Sequence, residues 1–208
     1  LLSDGYLANG SEPWEIPNFK DLPEIKTKII KLSDNFEPYR HDKEKMARPW
    51  ALPGTPGLEH RIGGIEKKNN SGDISYDPEN HEQMTRLRNE KVNVIAKSIP
   101  ELVPFGDKSG KILVVGWGST YGAIRTAVED AREEGISVSH IQLRYLNPLP
   151  KNLGNILVKF ERVLVPELNM GQLSFILRSK YLIDIIGINK IKGKPFTVAE
   201  IYNKIIKK

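Results

Sequence analysis

The sequence predicts an α/β protein: a small three-layer domain with a mostly parallel sheet, preceded by a long irregular arm and one long helix. Three observations carry this. First, Lys111-Ile-Leu-Val-Val-Gly-Trp-Gly-Ser-Thr-Tyr-Gly122 passes from a buried-strand pattern through a glycine-rich turn into a helix. That unit begins an open α/β sheet and can turn backbone N–H groups toward an anion. Second, strand and helix patterns alternate from there to the end of the chain. Third, Pro13, Pro17, Pro23, Pro38, Pro49, Pro53 and Pro56 crowd the first 57 residues, where proline removes strand donors and helix interiors alike.

The arm comes first. Asp21 to Leu32 has some apolar spacing, but no long helix forms before Pro38. Extended chain with Trp14, Phe19, Phe36, Tyr39 and Trp50 as anchors is expected, lying across another surface. Residues 54–81 are rich in Gly, Asn and Asp and read as turns. Asp77-Pro78-Glu79 starts a helix: Asp77 caps, Pro78 fits the first position, and Glu79 and Glu82 favour the positive end. The helix runs to about Ser98, before Pro100. Met84, Leu87, Lys91, Val94, Ile95 and Ile99 trace its expected stripe.

The α/β half follows. Ile112–Val115 is the first strand and Gly122–Glu134 its helix. Ser137–Leu143 is a strand, Leu153–Phe160 a short crossover helix and Arg162–Leu168 a strand. Gly171–Leu182 is a helix and Ile185–Ile191 a short strand. Thr197 caps a final helix to Ile206, with Glu200 completing a capping box. About four parallel strands under helices on both faces are expected, with right-handed crossovers.

Composition narrows the function. The 208 residues are 39% hydrophobic and 27% charged, which suits a soluble globular protein. No run of eighteen apolar residues predicts a membrane span. Zero cysteines exclude disulfides, thiolate-held clusters and a cysteine nucleophile, and are compatible with a cytoplasmic location. The start at Leu1, without Met or signal pattern, points to a truncated chain. Residues 1–110 carry 16 basic and 18 acidic residues, and residues 111–208 carry 15 and 8. The basic half, with Lys190, Lys192 and Lys194 in one loop, can be a solvated surface or can steer an acidic partner or phosphate ligand. No aromatic–basic stripe or helix-turn-helix points to nucleic acid.

Site candidates are few. Gly116-Trp-Gly-Ser-Thr-Tyr-Gly122 is spaced GxGxxxG, and Gln142-Leu143-Arg144 after the next strand offers no acid for a ribose hydroxyl, which disfavours nicotinamide binding. Either the glycines only permit a tight turn and close packing, or Gly116, Gly118, Ser119 and Thr120 also contact a phosphate or a partner. Glu167, Asn169 and Gln172, past the third sheet strand, are read as interface residues, with capping of the next helix as the alternative. His41, His60, His81 and His140 lack metal spacing. Hydrogen-bonding roles are expected of them, with His60 and His81 counted among the interface candidates. No Walker loop, GxSxG elbow or paired carboxylates appear, so neither a catalytic residue nor a metal site is expected.

Several runs resemble a known family. Leu2-Ser-Asp-Gly-Tyr-Leu-Ala-Asn-Gly-Ser-Glu-Pro-Trp14, Ala47-Arg-Pro-Trp-Ala-Leu-Pro-Gly-Thr-Pro-Gly-Leu-Glu-His-Arg-Ile-Gly-Gly64 and Tyr76-Asp-Pro-Glu-Asn-His81 are similar to the alpha subunit of 2-oxoacid:ferredoxin oxidoreductases, 2-oxoglutarate type. Val115–Gly122 and Glu167–Leu173 are similar to its C-terminal domain. The resemblance implies a C-terminal fragment: residues 1–15 as the tail of a pyrimidine-binding domain, 16–110 as a connecting arm, and 111–208 as a transketolase C-terminal-like domain. It implies oxidative decarboxylation of a 2-oxoacid to acyl-CoA by the whole enzyme. It places thiamine diphosphate, magnesium and the iron–sulfur cluster outside this fragment, with the diphosphate site and cluster in a partner beta subunit. The implied partners are that subunit, upstream domains of the same chain, ferredoxin and coenzyme A. The fragment is expected to serve subunit assembly and to be inactive alone. A standalone coenzyme A- or nucleotide-binding module is the alternative.

Overall fold

The structure is a computed structural model describing residues 10–11, 13, 15–27, 29–31 and 35–207. Trp14 and most of residues 1–15, the expected domain tail, lie outside it. The chain forms two compact units, Pro13–Ser98 and one that begins at Ile99.

In the first unit, β1 (Ile29–Ile30) pairs in parallel with β2 (Trp50–Ala51). Of the expected anchors, Tyr39 is buried, whereas Phe19 is 84% and Trp50 66% exposed. Tyr39 is held on three sides. Its hydroxyl donates to the Ile62 carbonyl at 2.9 Å and its N–H to Asn70 O at 3.0 Å. Its ring lies where a side chain on Gly72 would put Cβ, 2.6 Å away.

Helix α1 (Pro78–Ile95) starts as its sequence dictates, with Asp77 accepting from Glu79 N. Its burial differs from the predicted stripe. Met84 is buried, Ile95 is 48% exposed, and the other buried residue is the polar Asn80. Asn80 accepts from Asn69 N at 2.8 Å and donates to Lys67 O at 3.0 Å. Satisfying those loop groups outweighs apolar periodicity here.

The second unit contains β3 (Gly110–Trp117), α2 (Tyr121–Glu133), β4 (Val138–Leu143), α3 (Leu153–Leu157), β5 (Phe160–Glu167), α4 (Gln172–Tyr181), β6 (Ile185–Asn189) and α5 (Val198–Ile206). Every predicted element is present, with ends shifted by a few residues. The sheet is wholly parallel, in the order β4-β3-β5-β6. Alternate residues of each strand feed two cores. Leu113, Val115, Ile141, Val163 and Val165 pack with α3 and α4. Ile112, Val114, Val138 and Leu164 pack with α2 and α5. Burial on both faces explains the unbroken apolar run of β3. Residues 99–109, read from sequence as arm, belong to this unit. Phe105 and His140 exchange backbone hydrogen bonds of 2.8 and 2.9 Å, and the Asn152 amide bonds both backbone groups of Leu102.

Candidate functional site

Strand order reverses at β3. The chain leaves β3 toward α2 on one face of the sheet and leaves β5 toward α4 on the other. The C-terminal ends of β3 and β5 therefore flank the place where open α/β sheets gather ligands and partners. The two segments singled out from sequence are those two turns.

After β3, Gly116 lies against the helix. A Cβ there would come within 2.4 Å of Gln142 Oε1 and 2.7 Å of Ile124 Cδ1. Gly118 has φ +57, a backbone state that glycine enters without steric cost. Gly122 has open space around its Cβ position, so neither packing nor turn geometry demands it. The Thr120 hydroxyl is already used: it donates to Trp117 O at 2.8 Å and accepts from Trp117 N at 3.2 Å. Ser119 is half-buried beside it. Gln142 Nε2 donates to Gly118 O at 3.2 Å. The turn is thus closed by Thr120 from within and by Gln142 of β4.

After β5, Glu167 is fully buried. Its carboxylate accepts from Leu173 N at 2.8 Å, Ser174 N at 2.9 Å and Ser174 Oγ at 2.7 Å. A carboxylate at the first turn of α4 satisfies orphan donors and complements the helix dipole. Glu167 therefore caps α4, the alternative its sequence position left open. Asn169 accepts from Gly171 N and Gln172 N, while the Gln172 side chain is exposed. The exposed Met170 and Phe175 lie beside it in sequence.

A cavity of about 360 Å³ adjoins β4, lined among others by Phe105, Tyr121, Arg125, His140, Gln142 and Arg144. The Arg125 guanidinium lies 3.1 Å above the Phe105 ring centre, and its Nε donates to Glu129 at 2.6 Å. Burial lowers His140 to a pKa of about 4, reinforced by the Arg125 charge and opposed by Gln142. His140 is therefore neutral at pH 7 and poorly matched to proton transfer there. The cavity is built for hydrogen-bond and stacking contacts. Sequence reasoning treated His140 as an ordinary strand residue; the cavity arises from the 100–105 segment, whose pairing with β4 has no local signal.

The other histidines serve the arm. The His60 Nδ1–H donates to Leu58 O at 2.8 Å, and the ring meets Phe36 edge-on at 5.1 Å. The His81 Nδ1–H donates to Glu66 at 2.6 Å.

Residues 110–201 match the family of the pyruvate:ferredoxin oxidoreductase core domain II, the class of domain that this sheet and its glycine turn define. The wider chain is 52% identical over 204 residues to the 2-oxoglutarate oxidoreductase subunit KorA of Mycobacterium tuberculosis, covering 97% of this chain and 31% of that one. It is 28% identical over 220 residues to the 2-oxoglutarate synthase subunit KorA of Methanocaldococcus jannaschii, covering 95% and 58%. A solved 2-oxoglutarate:ferredoxin oxidoreductase from Magnetococcus marinus, with 2-oxoglutarate, coenzyme A and succinyl-CoA bound, superposes with a TM-score of 0.84 at 29% identity, covering 91% of this chain and 33% of that one. Along nearly all of its length the chain is similar to part of these oxidoreductases, as its motifs imply. It spans about a third of the length of the Mycobacterium tuberculosis relative.

Proposed function

We propose that the chain is the C-terminal part of the alpha subunit of a thiamine diphosphate-dependent 2-oxoglutarate:ferredoxin oxidoreductase. The whole enzyme would convert 2-oxoglutarate and coenzyme A to succinyl-CoA and carbon dioxide, passing two electrons to ferredoxin. The observation that carries this is the 52% identity along 97% of the chain. In this reading residues 1–15 close a pyrimidine-binding domain. The connecting arm is 16–110, its last stretch folding onto the next unit. Residues 111–208 form the transketolase C-terminal-like domain. The location proposed is the cytoplasm; among the described residues no helix is long and apolar enough to cross a membrane.

The residues do not fit an iron–sulfur cluster. A cluster needs cysteine thiolates, and the chain has none. No group of three or more His, Asp or Glu able to hold a metal ion occurs among the described residues. Thiamine diphosphate, magnesium and the cluster are accordingly assigned to upstream domains and the beta subunit. The chain's own work is assembly. Arm residues Phe19, Ile25, Trp50 and Tyr76 expose large apolar surfaces, which favours a partner that covers them. Met170, Gln172 and Phe175 supply a second contact from the β5–α4 region.

The test is turnover with 2-oxoglutarate, coenzyme A and an electron acceptor. The 208-residue chain alone should give none. Mixing it with the remaining alpha segment and the beta subunit should restore activity and co-elution. Turnover by the chain alone would overturn the assembly role.

A further inference from the structure

The Pro13–Ser98 unit contains a cavity of about 450 Å³ between the loops of residues 39–67 and α1. Its charge does not balance. Arg48, Lys67, Arg88 and Lys91 line it, with Glu66 as the one carboxylate. Both Glu66 oxygens are engaged, one by His81 and one by Arg88. Those two partners keep Glu66 ionised below the usual carboxylate range. Among the described residues, no carboxylate pairs with Arg48, Lys67 or Lys91.

Lys67 is the key group. It is only 4% exposed, and its ammonium donates to the Ile65 carbonyl at 2.5 Å. An ammonium has three donors, and burying one without an opposite charge is costly. Lys67 thus has a carbonyl but no carboxylate, and beside it the buried Nδ1 atom of the half-buried His41 makes no hydrogen bond. Burial, then the charges of Arg48 and Lys91, hold His41 below its ordinary pKa, against smaller opposing effects of Tyr39 and Asp42. Arg48 is not loose either, since its guanidinium lies 4.3 Å from the centre of the fixed Tyr39 ring. The rest of the lining is apolar, from Ile62, Ile65, Met84 and Leu87.

We propose that this cavity binds a small organic dianion, a phosphomonoester or a dicarboxylate, with its charged end on Lys67, Arg48 and Lys91 and its carbon body on Met84 and Leu87. The charge count sets the class: three cations without a carboxylate partner fit two negative charges better than one. The cavity volume leaves room for a body beyond a bare phosphate. His41 Nδ1 supplies one further polar contact.

The test is calorimetric titration of the 208-residue chain at low ionic strength with inorganic phosphate, glycerol 3-phosphate and succinate, and with uncharged succinamide as control. Saturable binding of glycerol 3-phosphate or succinate is expected, with none of succinamide. The stronger of the two identifies phosphoryl or carboxylate recognition. The double variant Arg48→Gln/Lys91→Gln changes two exposed side chains and should weaken binding at least about tenfold. Lys67→Met should abolish it. Arg86→Gln, outside the cavity and paired with Glu82, should leave it unchanged. The site is overturned if none of the three anions binds saturably by about 10 mM. Binding that the double variant leaves intact, or that Arg86→Gln weakens equally, also overturns it.

Discussion

Glu167 shows how a polar residue at a promising sheet edge can be consumed by the fold. Its three hydrogen bonds go to backbone and hydroxyl donors in the first turn of α4. Replacing it with alanine strands buried donors, and urea unfolding of Glu167→Ala should show a loss of about 3 kcal/mol. His140 gives a pH signature. Its folded pKa of about 4 lies below the ordinary 6.5, so the unfolded chain takes up a proton that the folded chain refuses. Stability is then full above pH 6.5, falls as pH drops toward 4, and levels off below, by an amount on the order of 3 kcal/mol. In His140→Asn that component should vanish from guanidinium midpoints measured between pH 7 and 4. An unchanged slope in the variant would refute the assignment.

At the scale of elements, the capping box of α5 reaches beyond its own helix. Thr197 accepts from Glu200 N, and Glu200 accepts from Thr197 N. Lys190, just past β6, also donates to both Glu200 oxygens and to Pro195 O. The Lys190 ammonium, with the Thr197 backbone N–H, holds Glu200 at a pKa of about 2 against an ordinary 4.5. A depressed carboxylate stabilises above its unfolded pKa and loses that contribution as pH falls from 4.5 through 2. Glu200→Gln should therefore lower the urea midpoint at neutral pH, with the gap to the parent closing over that window. Because Glu200 is exposed, high salt should also shrink the gap. A gap independent of pH would show that only the uncharged cap matters. The box was readable as Thr-x-x-Glu; the Lys190 contact was not, because the approach of the β6 end to α5 is tertiary.

For the whole molecule, the two large cores draw, among the described residues, on residues 102–205. Among its described residues the Pro13–Ser98 unit buries few large apolar side chains, chiefly Tyr39, Leu58 and Met84. A fragment of residues 99–208 should therefore unfold cooperatively in urea, monitored by circular dichroism, while one of residues 13–98 should show no sharp transition. Cooperative melting confined to the arm fragment would contradict this division of stability.

The sequence by itself determined the α/β class, the order of strands and helices, the capped starts of α1 and α5 and, through its motifs, the resemblance to the oxidoreductase alpha subunits. Those properties are written in local periodicity, turn chemistry and the order of short runs along the chain, which need no distant partner to be read. Only the tertiary structure decided what the polar groups do. It buried Glu167 as a cap, spent the Thr120 hydroxyl inside its own turn and made His140 part of a cavity wall. It also gathered Arg48, Lys67 and Lys91 around one cavity. The two cavities join residues far apart in the chain and leave no pattern at either end; the Glu167 and Thr120 bonds are local, but the same local sequence is equally compatible with side chains turned outward.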